Sequence, residues 1–205
     1  MYKSIKYKIK NIYNRGEILL NKQEFIRKYK MEELSESNGL AIDIIYATSN
    51  NFTKQVLYSE PICMLRAGTA KKLLNANKEF NNLGFKIKIW DAFRPIIFQK
   101  KMWNIFPDER FVANPEKGNS NHCKGSAVDI TLYTLDNKEI KMPTEFDHFG
   151  IESYRNYYDK LDEETRNNVL LLENVMVKNG FDPFAYEWWH FNDIDDYDII
   201  YEYFK

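Results

Sequence analysis

Apolar and polar residues alternate in steps of two along FKIKIW, 85–90, until Trp90 breaks the pattern, which predicts a half-buried strand. The stretch before it, GTAKKLLNANKEFNNLG at 68–84, has a different period. Ala70, Leu73, Leu74, Phe80 and Leu83 fall on one helical stripe, with Thr69 as N-cap and Gly84 as the stop. RPIIFQKKMWNIF, 94–106, opens a further helix with Pro95 in its first turn. SAVDITLY, 126–133, is a β-branched strand that LDNKEI turns back as a hairpin, with Asp136-Asn137 in the bend. DEETRNNVLLLENVMVKNG, 162–180, is a second long helix ended by Gly180. LAIDIIYA, 40–47, and the aromatic run FAYEWWHF, 184–191, read as strands. Residues 107–124 are polar and rich in Gly, Asn and Pro, and long for a plain connection, which marks a functional loop. Helices and hairpin-like strands are mixed without a regular βαβ alternation. The expected fold is α+β: a single domain with a mainly antiparallel central sheet flanked by helices.

Composition adds little to this picture, and charge adds one feature. A chain of 205 residues, 44% hydrophobic and 29% charged, buries a sizeable core without structural metals or disulfides. Cys63 and Cys123 are a lone pair, no apolar run spans a bilayer, and the basic N-terminus lacks the apolar centre of a signal peptide. A cytoplasmic protein is the expectation. The net charge of −1 is unevenly spread: residues 1–30 carry +7 and the remainder −8. Such a basic stretch suits an anionic membrane surface, or this chain's own acidic segment from Asp193 to Glu202. Ile5, Ile9 and Ile12 fit a helix, while Ile5, Tyr7 and Ile9 also alternate with Lys as in a strand. The expectation is a docked or loosely ordered extension, and nothing resembles a nucleic-acid-binding module.

The chemistry concentrates in two short stretches. SNHCKGSAVD, 120–129, holds His122 and Asp129 either side of Gly125, which permits a sharp turn. Asp129 shares a strand face with Ala127, Thr131 and Tyr133, so it is a carboxylate inside an apolar strand, costly unless paired or bound to metal. EWWH, 187–190, holds Glu187 and His190. Their gap of three points them to opposite faces of a regular strand, so a turn or bulge near Tyr186–Trp188 is needed to bring both to one site. In a chain with only three histidines, two of them with an Asp form a common zinc-ligand set, and a nearby Glu can take a proton from water. The helical H-E-x-x-H motif is absent. On the residues alone, a strand-edge Asp, a core His and an aromatic strand with solvent-reaching polar groups remain the alternative.

SNHCKGSAVD fits S-x-H-x-x-G-x-A-x-D and EWWH fits E-x-W-H. Both resemble the zinc D,D-peptidases that share a fold with the hedgehog signalling domain, and more closely the VanX-type D-alanyl-D-alanine dipeptidases. YATSNNF, IWDAFRP, GSAVDITLY and MPTEFD, 142–147, resemble that family in order and spacing, over about residues 38 to 192. The resemblance implies a basic N-terminal extension over 1–37 and a zinc D,D-dipeptidase domain over 38–205. It implies His122, Asp129 and His190 as Zn2+ ligands, Glu187 as catalytic base and Arg94 as the group that stabilises the tetrahedral intermediate. It implies Asp147, Tyr46 and Ser120 around a small bound dipeptide, with Asp147 on its ammonium, and Asp91 ordering the Arg94 loop. Pro143, where the family often has Gly, and SNN in YATSNNF depart from the pattern. Cys123 matches no ligand, and His148 is expected to face solvent or to support the site from behind. The implied activity is hydrolysis of D-Ala-D-Ala. A D,D-carboxypeptidase trimming peptidoglycan precursors and a non-catalytic zinc-stabilised binding module are the alternatives.

Overall fold

A strand of eight residues, β5 (Ala127–Thr134), runs through the middle of the molecule and is buried on both faces from Ala127 to Leu132. The computed structural model describes residues 20–117 and 120–204. Before β5 come helix α1 (Lys22–Tyr29), strand β1 (Met31–Glu33), strand β2 (Ala41–Ile42), strand β3 (Met64–Arg66), helix α2 (Ala67–Asn82), strand β4 (Phe85–Asp91) and helix α3 (Ile96–Ile105). After it come helix α4 (Glu163–Lys178) and strands β6 (Phe181–Pro183) and β7 (His190–Asp193). The main sheet has the order β2-β4-β5-β7-β6, and β1 pairs with β3 in a small second ladder. Among these strands β2 pairs with β4 in parallel and the other ladders are antiparallel. The α+β expectation holds, with helices α2 and α4 in contact with each other and with the sheet.

Three local expectations are corrected. LAIDIIYA forms a strand only at Ala41–Ile42; beyond Asp43 the backbone closes on itself in a 3-10 turn, with Ala47 N bonding Ile44 O. The turn buries Ile44 and Tyr46, which a continuous apolar run cannot distinguish from a buried strand. Thr69 does not cap α2, whose N-cap is Arg66; its hydroxyl instead donates to the buried carboxylate of Asp193, which Lys72 also pairs. FAYEWWHF is not one strand: β7 begins at His190, and residues 184–189 form the turn that joins it to β6. The turn between Glu187 and His190 that the chemistry required is therefore present.

The register across β4, β5 and β7 positions the site. Ile87 faces Leu132 and Ile89 faces Ile130, but a bulge at Trp90 then brings Asp91, rather than Trp90, opposite Asp129. Without the extra residue Asp91 would continue the face of Ile87 and Ile89 into the core. On the other side of β5, His190 is paired with Asp129. Asp91, Asp129 and His190 thus stand in one row across three strands.

Residues 20–37, part of the stretch expected to be a basic extension, pack against the body of the molecule. Phe25, Met31 and Leu34 are buried, and the Phe25 ring meets those of Tyr29, Phe93 and Phe204 at 4.9, 5.4 and 4.8 Å. Lys28 pairs with Glu202 of the acidic C-terminal segment at 2.6 Å. The pattern of Ile5, Tyr7, Ile9 and Ile12 lies outside the described residues. No helix among the described residues is long and apolar enough to cross a membrane.

Because Phe25 packs on Phe93, next to Arg94, its loss is expected to be felt as stability. Phe25→Ala should lower the unfolding free energy by about 3–5 kcal/mol, as for other buried Phe truncations. A shift in the urea midpoint at unchanged slope is the measurement.

Candidate active site and metal centre

Each site residue is placed by a different local device. His122 sits in a 3-10 turn, Asn121–Lys124, whose N-cap is Ser120 and whose end is Gly125 at φ 72. A side chain at Gly125 would be strained in that conformation and would meet the Met31 methyl at 2.8 Å. Asp129 comes from the centre of β5 and His190 from the first position of β7. Glu187 belongs to the turn before β7. Arg94 follows the bulged end of β4, its backbone N–H bonded to His122 O at 3.1 Å.

His122, Asp129 and His190 each offer one ligand atom within 4.8 Å of the others. The outer nitrogens assign the tautomers. His122 Nδ1 lies 2.7 Å from the Ala92 carbonyl and so carries its proton there. His190 Nε2 lies 2.9 Å from Asn192 Oδ1, whose own position is fixed by a bond from Asn121 Nδ2. The inner nitrogens are then both acceptors. They face each other at 3.2 Å, with Asp129 oxygens 3.2 Å from His122 Nε2 and 2.9 Å from His190 Nδ1. Three lone-pair donors converging without a hydrogen between them repel one another, and a bound cation is the arrangement that satisfies all three.

The electrostatics follow from this packing. Burial opposes the charge on Asp129; when His122 and His190 are protonated, their charges and hydrogen bonds outweigh burial and hold the carboxyl well below its usual range, the role a bound cation takes when the rings are neutral. Burial lowers the pKa of His190, the direction that favours the neutral ring a ligand needs. Glu187 is shifted upward, first by burial and then by the charges of Asp129 and Asp147. Its carboxylate accepts no hydrogen bond from the described residues; its Oε2 lies 3.8 Å from His190 Nδ1. Arg94 is buried too. Asp91 compensates it through Oδ2, at 2.9 Å from Nε and 2.7 Å from Nη2, and Gln99 Oε1 accepts from Nη1 at 2.8 Å. Tyr58 donates to the other oxygen of Asp91 at 3.0 Å. Arg94 Nη2 remains 3.6 Å from Asp129 Oδ2, at the edge of the ligand cluster.

Above the cluster lies a cavity of about 200 Å³, bordered by His122, Asp129, His190, Glu187, Arg94 and Asp147. Tyr46 and Ser120 also line it, so the cavity brings together all eight residues singled out from the sequence. Its size is below the span of roughly 300–1,000 Å³ usual for ligand pockets, which suits a small substrate. Asp147 takes a left-handed backbone, φ 60, and accepts from the Tyr46 hydroxyl at 3.0 and 3.2 Å. Loss of water around it, with the nearby charges of Asp129 and Asp91, raises its pKa to about 7. Ser120 accepts from His122 N at 3.3 Å while lining the cavity. Cys123 is buried, its thiol pushed up to about 12 by burial, and lies outside the ligand group. His148 is exposed and bonds Glu152, away from the cluster. Sequence reasoning did not find Tyr58, Gln99, Asn192 or the Ala92 carbonyl. Of these only Asn192 left a signal, two positions from His190 on the same strand face.

Comparison with known proteins gives the geometry a context. The family described as D-ala-D-ala dipeptidase matches residues 30–204. The chain is 31% identical over 152 residues to the D-alanyl-D-alanine dipeptidase of Escherichia coli K12, covering 74% of this chain and 78% of that protein. It is 28% identical over 179 residues to the Enterococcus faecalis V583 protein of the same name, covering 78% and 88%. A third, from Enterococcus faecium, is 29% identical over 181 residues, covering 75% and 86%.

His122→Ala, Asp129→Ala and His190→Ala should each abolish stoichiometric metal binding, because three protein donors cannot spare one. Asn192→Ala should keep one site per chain but weaken it about 10- to 100-fold, since it removes only the partner of the His190 ring. Metal content by atomic absorption and affinity by chelator competition distinguish the two cases.

Proposed function

Because the chain belongs to the D-Ala-D-Ala dipeptidase family of peptidases, we propose that it hydrolyses D-Ala-D-Ala with a single zinc ion held by His122, Asp129 and His190. The observation that carries this reading is the convergence of three lone-pair donors beneath a small cavity that also holds the carboxylate of Glu187, which accepts no hydrogen bond among the described residues. The donor set fits zinc: tetrahedral bonds of about 2.0–2.1 Å separate ligand atoms by about 3.3 Å, close to the 3.2 Å between the histidine nitrogens. When bound, the ion supplies a Lewis acid and brings the pKa of a coordinated water toward about 7.

The rest of the mechanism belongs to the chain. Glu187, raised in pKa by its dry setting, takes the proton of the attacking water and passes it to the leaving amine. Arg94 donates to the oxygen that becomes negative as the carbonyl turns tetrahedral. Its other donors are already engaged by Asp91 and Gln99, so it pivots little during the reaction. Asp147, whose donor among the described residues is the Tyr46 hydroxyl, receives the substrate ammonium, which supplies the charge its enclosed carboxyl lacks. Ser120 borders the same space. A cytoplasmic setting completes the reading, with Cys63 and Cys123 both buried as free thiols.

Glu187→Gln should retain metal and fold and lose about 10²–10⁴ in kcat. Arg94→Ala should lower kcat more than it raises KM, a pattern that marks an interaction made in the transition state. If Asp147 binds the ammonium, that contact contributes about 1.5–3 kcal/mol, or roughly ten- to hundredfold in kcat/KM for D-Ala-D-Ala over its N-acetylated form. Asp147→Ala should shrink that ratio by slowing the free dipeptide. Equal kcat/KM for both forms in the wild-type protein would instead identify a D,D-carboxypeptidase, and a metal-loaded protein without turnover would identify a binding module.

A further inference from the structure

Glu187 and His190 are three residues apart but are held by different means. His190 belongs to β7 and is locked by its pairing with Asp129. Glu187 lies in the turn 184–189, outside any ladder. The turn's own backbone bonds are long: Phe184 N to His190 O is 3.2 Å, and Glu187 N to Phe184 O and His190 N to Glu187 O are both 3.4 Å. One side chain makes up the difference. Arg155, at the start of a 3-10 segment (Arg155–Lys160), points its guanidinium into the turn. Its Nε donates to Phe184 O at 2.8 Å, and its Nη2 donates to Glu187 O at 3.2 Å, Trp188 O at 3.0 Å and His190 O at 3.0 Å. Its backbone N–H adds a bond to Ala185 O at 3.1 Å. Glu173 on α4 accepts from Nη1 at 2.6 Å and Tyr158 at 3.0 Å, and the guanidinium lies over the Phe191 ring at 4.6 Å.

We infer that Arg155 is a positioning residue for the catalytic base: its fork gathers the carbonyls of the 184–190 turn and fixes the Glu187 carboxylate over the ligand cluster. The inference rests on Glu187 being the base. Four carbonyls turned to the same side of a half-buried turn need a donor able to reach them together, and a planar guanidinium does this where an ammonium cannot. Arg155 touches no cavity-lining side chain of the proposed chemistry. Besides its charge, which opposes the upward shift of Glu187, its effect reaches the reaction through the backbone of Glu187, and a carboxylate displaced by about 1 Å loses about 10²-fold. The metal site should be spared, because His190 retains its ladder with Asp129 and its bond to Asn192.

The test is a double-mutant cycle. Arg155→Lys and Arg155→Met are made in the wild-type protein and in Glu187→Gln, and kcat, KM for D-Ala-D-Ala, zinc per chain and the thermal midpoint are measured. Alone, each substitution is expected to lower kcat about ten- to hundredfold, with KM little changed and one zinc per chain retained. In the Glu187→Gln background no further loss is expected, because there is no base left to misplace. The same proportional loss in both backgrounds, or zinc lost in step with kcat, would overturn the assignment. Arg155→Lys keeps the charge beside Glu173 and decides the matter if Arg155→Met does not fold; wild-type kcat in that variant overturns it as well. Wild-type turnover by Glu187→Gln alone would remove the base assignment, and this inference with it. An inactive Glu187→Gln beside a fully active Arg155→Lys would remove this inference only.

Discussion

The carboxylate of Asp129, buried at the centre of the sheet, is the constraint around which the rest of the structure is arranged. An anion in that position is tolerable only with partners on every side. The register of β7 sets His190 beside it, the 3-10 turn before Gly125 sets His122 beside it, and the bulge at Trp90 brings Asp91 and its Arg94 alongside. Each of these features is a local irregularity or an exact pairing that would be unnecessary in a purely apolar sheet. The polar atoms beyond them, on Ala92, Asn192, Gln99 and Tyr58, satisfy the partners in turn.

A division of labour follows from where each group is mounted. The three candidate ligands stand on a strand centre, a strand start and a capped turn, all tied by backbone bonds to the sheet. The proposed base and the proposed ammonium partner lie on connecting segments, and those segments are stitched to each other. Trp188 Nε1 donates to Thr144 Oγ1 at 2.9 Å, Thr144 meets Ser153 at 3.0 Å, and Ser153 bonds the carbonyl of His148, next to Asp147. Groups that hold an ion need fixed separations, whereas groups that meet a changing substrate are carried on loops braced from outside.

Two stretches of the candidate site stood out because they are local in sequence, and the family resemblance supplied the roles and the remaining residues. His122 and Asp129 are seven residues apart around a glycine that only one turn geometry explains, and Glu187 and His190 are three apart in a run that had to bend. The long helices were legible from period and stop residues, with Asp162 capping α4 and Gly180 ending it at φ 87. What was not legible depends on register. Nothing in IWDAFRP tells that Trp90 is the bulged residue, and nothing in SYRNYY marks Arg155 as the donor to a turn some thirty positions on. Tyr46 was legible as a residue but not in its setting, since LAIDIIYA gives the same apolar run whether it extends or coils.

The ring contact between Phe25 and Phe204 joins one of the first described helices to the last described residues, and Leu20 bridges Phe204 as well. Such a contact joins residues far apart in sequence, which is among the slowest kinds of contact to form. During synthesis Phe25 of α1 emerges before either of its later ring partners, and gains Phe93 well before Phe204. β7, which carries His190, also arrives late and must be inserted between β5 and β6. The nascent protein thus passes an interval with its sheet incomplete and the Phe25 ring only partly covered, and it acquires its candidate ligand set and the Phe25–Phe204 contact nearly together.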